Sequence, residues 1–399
     1  MTRAAVRSLS QGATQQGVRD HNARLILSTL QRHGPLPGSD LARIAGLSPQ
    51  TVSVILRSLE ADGLVTRGQP QRGRVGKPAI PVALAPDGVF AFGLKLGRRS
   101  ADLVLADLTG ALRGALRSTY RWPEPQALLG FLRDGMERLT ASFDEVLRAR
   151  IAGIGIAMPY ELWKWHEVLG APPHSLAAWE GLDLAAAIGR FSDLPVFVQN
   201  DGTAAARAEH VFGRGREFRD FAYLFVGSFI GGGVVLNHSV YEGAFGNAGA
   251  FGSLPARRSD GAEAQLIDTA SLHLLESALA AEGFPTARLW AEPQDWTGFP
   301  PALDDWIAAT GAQLARAAVT ACAVVDFEAV LIDGAFPPAI RSRLVAAARA
   351  ALEGLDRRGL SPIRLEEGRV GANARALGAA TAPVFARYLL NTHALLTTG

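Results

Sequence analysis

Between residues 20 and 63, apolar positions recur at helical spacing in three runs, each closed by glycine. Leu25, Ile26, Leu27 and Leu30 form the first run, which opens at a candidate N-cap, Asn22, and stops at Gly34-Pro35. The second run is capped by Ser39 and is expected to bury Leu41, Ile44 and Ala45. Gly46 then makes a tight turn and Leu47 returns to the core. Ser48-Pro49 opens the third run with an N-cap and a proline at the first helical position. Val52, Ile55, Leu56 and Leu59 line its apolar side, and Gly63 ends it. Two short strand-like stretches, Leu64-Val65-Thr66 and Ala79–Leu84, flank a loop rich in glycine and basic residues, Arg67–Pro78. This order predicts a winged helix-turn-helix over residues 1–82.

From Val89 the period changes. β-like runs are Phe90–Leu96, Leu103–Leu108, Ile151–Met158, Val196–Gln199, Ala222–Val226, Gly232–Leu236 and Ala329–Ile332. Helical stretches include Pro125–Arg148, Leu182–Arg190, Gly202–Phe212, Asp304–Val325, Pro338–Leu355 and Ala374–Leu389. Asp107-Leu108-Thr109-Gly110 is expected to turn the first strand pair as a hairpin. The alternation means a layered α/β core, and about 310 residues suffice for two lobes. Phe221–Tyr241 is free of charge over 21 residues, long enough to raise a membrane helix. Its glycines, Gly227, Gly231, Gly232 and Gly233, favour two strands around a loop instead.

Charge sharpens the division. The chain carries +2 overall, but residues 1–80 hold eleven Lys/Arg against four Asp/Glu, a local +7 that leaves −5 for the remainder. A basic head on a mildly acidic body points to a polyanion partner for the head, with a solvated basic face as the alternative. The polar side of the third helix offers Gln50, Thr51, Ser53 and Arg57. Gln50 suits a two-point contact to adenine, Ser48 or the helix N-terminus a phosphate, and Arg57 the backbone. Arg72, Arg74 and Lys77 at the wing tip suit the minor groove or phosphates. A helical dimerisation domain with a basic loop is the bland counterpart. One cysteine, Cys322, rules out a disulfide framework and suits the cytoplasm, and Met1–Ser10 lacks the apolar core of a signal peptide. No membrane partner is expected.

The chain resembles the ROK family of repressors, open reading frames and sugar kinases. In the head the resemblance rests on Val18–Asn22, Asp40-Leu41-Ala42, Gly46-Leu47-Ser48, Thr51-Val52-Ser53, Gly63-Leu64-Val65 and Gly76-Lys77-Pro78. In the body it rests on Asn200-Asp201, Gly231-Gly232-Gly233, Gly246–Gly249, Asp333-Gly334 and Gly371–Ala379. It implies a two-lobed, actin-like (ribonuclease H-like) domain over residues 83–399 with a sugar bound in its cleft. Lobe 1 would take about 83–200 plus the C-terminal helix from about 380, and lobe 2 about 201–380. For the repressor branch it implies operator DNA, a carbohydrate effector, and a homodimer or dimer of dimers.

Kinase chemistry needs a cradle for phosphates, an acid for the metal, and a base. The resemblance expects Asp-x-Gly-Gly-Thr for the first phosphate loop, where this chain reads Lys95-Leu96-Gly97-Arg98-Arg99. It expects Gly-Thr-Gly-x-Gly for the second, where Gly227-Ser228-Phe229-Ile230-Gly231 stands. Charge reversal and bulk argue against ATP, so neither a catalytic role nor a cofactor is expected. Asp201, at the position of the family's base, would instead accept from a ligand hydroxyl beside Asn200, or both would simply cap the helix that follows. Ser253 stands where a zinc-binding histidine is expected, Arg257–Ile267 holds no cysteine, and the two sugar-binding glutamates are Ala250 and Ile267. No metal is expected. Gly249, Ser253 and Ser175, the last near the place of a family asparagine, complete the expected ligand wall. Trp163, Trp165 and the segment from His174 to Trp179 are offered as a stacking surface, with core packing as the alternative. His166, His174, His238, His273 and His393 form no ligand spacing and are read as ordinary surface or loop residues. The rival reading is an ATP-dependent hexose or N-acetylhexosamine kinase with an appended DNA-binding head.

Overall fold

The computed structural model describes residues 15–70, 80–165, 171–172, 175–291 and 294–390. Helix α1 spans Gln15–His33, so Asn22 lies inside it and caps nothing. Gly34, at φ +76°, donates its N–H to Leu30 O and stops the helix. Strand β1 (Leu36–Pro37) leads directly into α2 (Gly38–Ala45), with Pro37 at the cap and Ser39 already helical. Leu41 and Ala42 are the buried residues of α2, whereas Ile44 is 40% exposed. At about 100° per residue, Ile44 points about 110° away from the middle of that pair, too far round to share its face. Gly46 takes φ +67° and α3 (Pro49–Ala61) follows, capped by Ser48 Oγ accepting from Thr51 N at 3.1 Å. Ile26, Leu30, Leu41, Val52, Ile55 and Leu59 meet in the core of the head. Strand β2 (Val65–Arg67) pairs antiparallel with β3 (Pro81–Leu84), Val65 opposite Leu84, and β1 joins the other edge of β3. These are the wing strands. Its tip, with Arg72, Arg74 and Lys77, lies outside the described residues.

The body repeats one sheet plan twice. The first sheet contains β4 (Phe90–Leu96), β5 (Ser100–Asp107), β6 (Leu112–Thr119), β7 (Ile151–Met158) and β8 (Val196–Asn200), in the order β6-β5-β4-β7-β8. β4, β5 and β6 form an antiparallel meander, and β7 and β8 run parallel to β4. Strand β6 was not anticipated, and Asp107–Gly110 turns β5 into β6 rather than β4 into β5. Expected helix Pro125–Arg148 is two helices, α4 (Pro125–Leu139) and α5 (Glu145–Ala149). Thr140 Oγ1 donates back to Met136 O, and Asp144 caps the second piece by accepting from Leu147 N. A short α6 (Leu184–Ile188) precedes β8.

The second sheet starts from the charge-free stretch, which forms β9 (Phe221–Val226), β10 (Ile230–Leu236) and β11 (Ser239–Tyr241). A small hairpin, β12 (Pro255–Arg257) with β13 (Glu263–Gln265), occupies the region where the resemblance expects a zinc cluster. β14 (Ala329–Gly334) and β15 (Leu365–Glu367) complete the order β11-β10-β9-β14-β15. Its helices are α7 (Asp201–Phe212), α8 (Leu272–Ala281), α9 (Ala302–Val324) and α10 (Pro338–Glu353), and a last helix, α11 (Ala374–Tyr388), returns to the first sheet. Two such meander-plus-parallel sheets make the two-lobed, actin-like fold. α11 packs against β4, β7 and α7 at once. It does so on backbone contact: a Cβ on Gly155 of β7 would stand 1.8 Å from Ala379 O, and one on Gly378 would stand 1.7 Å from Ala204 O. Buried Asp333 at the end of β14 accepts from Gly371 N at 2.7 Å and pairs with Arg341 at 3.0 Å, which fixes the entry to α11 and the direction of Arg375.

Candidate ligand cleft and nucleic-acid interface

The junction of β8 and α7 builds the floor of the cleft. Asn200 ends the strand and caps the helix, its Oδ1 accepting from Gly202 N at 2.8 Å and Thr203 N at 3.3 Å. Its Nδ2 donates to Asn247 Oδ1. Asp201 follows as the first residue of α7, and both side chains line a cavity of about 580 Å³. Capping and ligand-facing positions therefore coincide. Gly249 and Ser253 line the same cavity, as do Ala250 and Ile267. Ser175 does not: its hydroxyl donates to Pro172 O at 2.7 Å, away from the cleft. Of the expected stacking surface, the Trp165 side chain and His174 lie outside the described residues, and neither Trp163 nor Trp179 lines the cavity. Trp179 is buried with Nε1 donating to Pro123 O, and Trp163 packs on the first-lobe core. Among the described residues, the aromatic rings that line the cavity belong to Tyr160, Phe225 and Phe229.

The two stretches matching phosphate loops are closed in different ways. Lys95 turns inward, where its ammonium donates to Asp102 Oδ2 at 2.8 Å and Ser100 Oγ at 3.2 Å. Burial, reinforced by the nearby Arg375 guanidinium, pushes its pKa down to about 8. Burial would raise the Asp102 carboxyl, but Lys95 and Arg117 together hold it below the ordinary value. The β9–β10 turn is tied to the N-terminus of α8: Leu272 N donates to Gly227 O, His273 N to Ser228 O, and Ile230 N to Ser271 Oγ. Those N–H groups are spent on the chain itself. Phe229 rests 5.1 Å from the His273 ring, with the Arg98 guanidinium 5.4 Å from its centroid. His273 thus packs against the β9–β10 turn from α8, half-buried rather than on a loop.

Arg375 was not anticipated as a site residue. From the first turn of α11 its Nη1 reaches Asp201 Oδ2 at 3.2 Å, and its guanidinium lies 4.8 Å from the Phe225 centroid. Arg98 and Lys164 are further cations on the cavity wall, against the acids Glu161 and Asp201. Lys164 pairs with Glu161 at 2.8 Å.

On the head, Gln50, Ser53 and Arg57 are exposed along α3, with Val54 43% exposed beside them. Positions 50, 53, 54 and 57 form one helical stripe opposite Val52, Ile55, Leu56 and Leu59. Val54 was missed, although its place outside the apolar period was readable. Ser48 and Thr51 sit at the N-terminus of α3 with their hydroxyls 2.8 Å apart, and Arg57 Nε leans back to Ser53 O.

The head is seated on the body at the far end of α7. Gln31 Nε2 donates to Val211 O at 2.7 Å, and the Arg32 guanidinium lies 2.8 Å from His238 Nδ1. Leu390 N donates to Ser28 Oγ, and the Arg150 guanidinium packs under Gly63. His238 is therefore an interface residue. Beside it, His210 of α7 has its pKa pushed down to about 4, by burial first and by Arg32 next. One helix of 12 residues, about 18 Å, thus runs from the cleft to the head.

Residues 91–265 match the model of the ROK family, and residues 19–66 match a winged helix-turn-helix DNA-binding model. An uncharacterized protein of Sinorhizobium fredii, y4fQ, is 27% identical over 373 residues, 91% of each chain. The xylose repressor of Bacillus subtilis is 27% identical over 246 residues, 61% of this chain and 62% of that one, so the match spans about three fifths of the repressor. Among solved structures, a ROK family transcriptional regulator described as a homolog of the E. coli MLC protein superposes with a TM-score of 0.62. That match covers 92% of this chain and 96% of the other at 23% identity, a likeness of fold.

Proposed function

We propose, from the match of residues 91–265 to the ROK family and of residues 19–66 to a winged helix-turn-helix, that the chain is a ROK-family, sequence-specific DNA-binding transcriptional regulator. It represses genes for carbohydrate uptake or breakdown, in the cytoplasm where its duplex lies, and its cleft takes a sugar or sugar derivative without phosphorylating it. The observation that carries this reading is a pairing: an outward-facing α3 stripe on one side, and on the other a candidate base, Asp201, held by Arg375. A general base must be within hydrogen-bond reach of the proton it takes. The Arg375 guanidinium 3.2 Å from Asp201 supports a role in holding a ligand hydroxyl over one in deprotonating it. The named repressor among the relatives supports the same direction.

Gln50, Ser53 and Val54 meet base edges in the major groove, with Val54 suited to a thymine methyl. Ser48, Thr51 and Arg57 hold phosphates, and Arg72, Arg74 and Lys77 reach the minor groove. A homodimer sets two α3 helices about 34–36 Å apart on a near-palindromic operator. The effector acts through α7: it contacts Asn200 and Asp201 at one end, and Val211 at the other end carries Gln31 of α1. It shifts the head only as far as it prefers one lobe arrangement over another. Gel retardation on promoter DNA tests the reading, which expects a complex that weakens steeply with salt. A coupled ADP-release assay over a panel of hexoses tests the rival kinase, and turnover at ordinary kinase rates would replace the present reading.

A further inference from the structure

Taking the cleft as an effector site, as proposed above, its wall narrows the chemistry of the ligand. The two positions where the family resemblance implies sugar-gripping glutamates are Ala250 and Ile267, so both acidic grips are gone. Asp201 is drawn onto Arg375, and Glu161 onto Lys164. Among the described residues, the cavity wall then carries Arg98, Lys164 and Arg375 against those two acids.

Arg98 is poorly neutralised. Its nearest acid, Glu276, is 3.9 Å away and lies closer to Arg99, at 2.7 Å. Arg98 and Arg375 flank the same β9–β10 turn: Arg98 lies over the Phe229 ring, and Arg375 Nη2 stands 3.4 Å from where a Cβ on Gly227 would be. Behind them Lys95 is neutralised by Asp102 at 2.8 Å and adds no free charge to the wall. The same cavity wall offers hydroxyl and amide groups from Asn200, Asn247, Ser253 and Gln265.

We propose that the effector is an anionic polyol, a small hydroxylated molecule with one carboxylate or phosphate seated between Arg98 and Arg375. A guanidinium pair binds either group with two charge-assisted hydrogen bonds, and the polar groups of the wall accommodate the hydroxyls. A neutral sugar leaves both arginines unrewarded.

Calorimetry on the full chain without DNA, using glucose, gluconate, glucose 6-phosphate and inorganic phosphate, tests this. At least one of the two anionic sugars is expected to bind about tenfold or more tighter than glucose. Gluconate against glucose 6-phosphate separates carboxylate from phosphate. Arg98→Gln is expected to remove that advantage while its melting curve stays that of the parent. Arg375→Gln is expected to do the same and is checked by the same melting curve. Glucose binding as tightly as both anions, no heat from either anion, or an undiminished advantage in Arg98→Gln overturns the proposal. Gel retardation of ligand-free protein separates the two readings. Operator binding without anion binding sinks only the ligand class, and anion binding without any operator complex sinks the regulator.

Discussion

α3 turns Gln50, Ser53, Val54 and Arg57 outward in one stripe, whereas the cleft turns its polar groups onto one another: Asp201 onto Arg375, Lys95 onto Asp102, Lys164 onto Glu161. Both regions have the scaffold their motifs require. The head has its cap at Ser48, its turn at Gly46 and its paired wing strands. The cleft has its duplicated sheets and its capped α7. The difference lies in which groups remain available. A surface that reads duplex needs exposed groups whose hydrogen bonds are completed by the partner. In the cleft the acids Asp201 and Glu161 each have a cation as partner, and the β9–β10 turn is tied to α8 through its carbonyls and through Ile230 N.

The largest effect should come from the scaffold shared by both lobes. Gly378→Val drives a side chain into Ala204 O across the α7–α11 contact, with no flexible neighbour to yield. The expected outcome is loss of a cooperative melting transition and with it of both functions. A variant that melts like the parent would show that the lobes are not locked there.

Acid acts next, on the seam between head and body. His210 has a folded pKa of about 4 against 6.5 in a model peptide, so the unfolded chain binds more protons between those values. Its contribution is fully present above pH 6.5 and is lost as pH falls toward about 4, on the order of 3 kcal/mol in all. Denaturant midpoints measured across that window should fall with acid, and His210→Gln should flatten the slope. An unchanged slope would mean that this histidine is not the group that titrates.

Direct readout comes third. Gln50→Ala should cost about 1–3 kcal/mol of operator affinity and leave effector binding as it was. Arg57→Ala should weaken every duplex alike and reduce the salt dependence by about one phosphate. The smallest effect belongs to Gln31→Ala, which removes one hydrogen bond to Val211 O, worth about 1 kcal/mol. It should leave operator affinity near normal and shrink the change that the effector produces, as read by anisotropy with and without ligand. An undiminished response would move the coupling to another path.

Local chemistry made much of this legible in advance. Ser48-Pro49, Gly46 and Gly63 punctuate the head where the sequence places them, and β7 has the expected bounds. Caps chosen from residue type alone were less secure, since Asn22 and Ser39 lie inside helices that start earlier. β6 was missed because Leu112–Thr119 is a half-exposed edge strand with arginines on its open face, and its apolar period is faint. The break between α4 and α5 depends on Thr140 and Asp144 bonding to the backbone rather than on a glycine or proline. The cleft hid most. Asp201 and Arg375 are 174 positions apart, and Arg32 and His238 are 206 apart, so no local pattern joins either pair. Ser175 and Trp179 have the right chemistry for a ligand wall, and only the fold reveals that their polar atoms are spent elsewhere.

Selection of genomic fragments by the full-length protein, run in parallel with a Gln50→Ala, Ser53→Ala variant, tests the central claim most directly. The account predicts that the parent recovers one inverted repeat, with half-sites spaced by a whole turn of duplex, and that the variant fails to enrich it. Recovery of the same repeat by both proteins, or of no repeat by the parent, would contradict it.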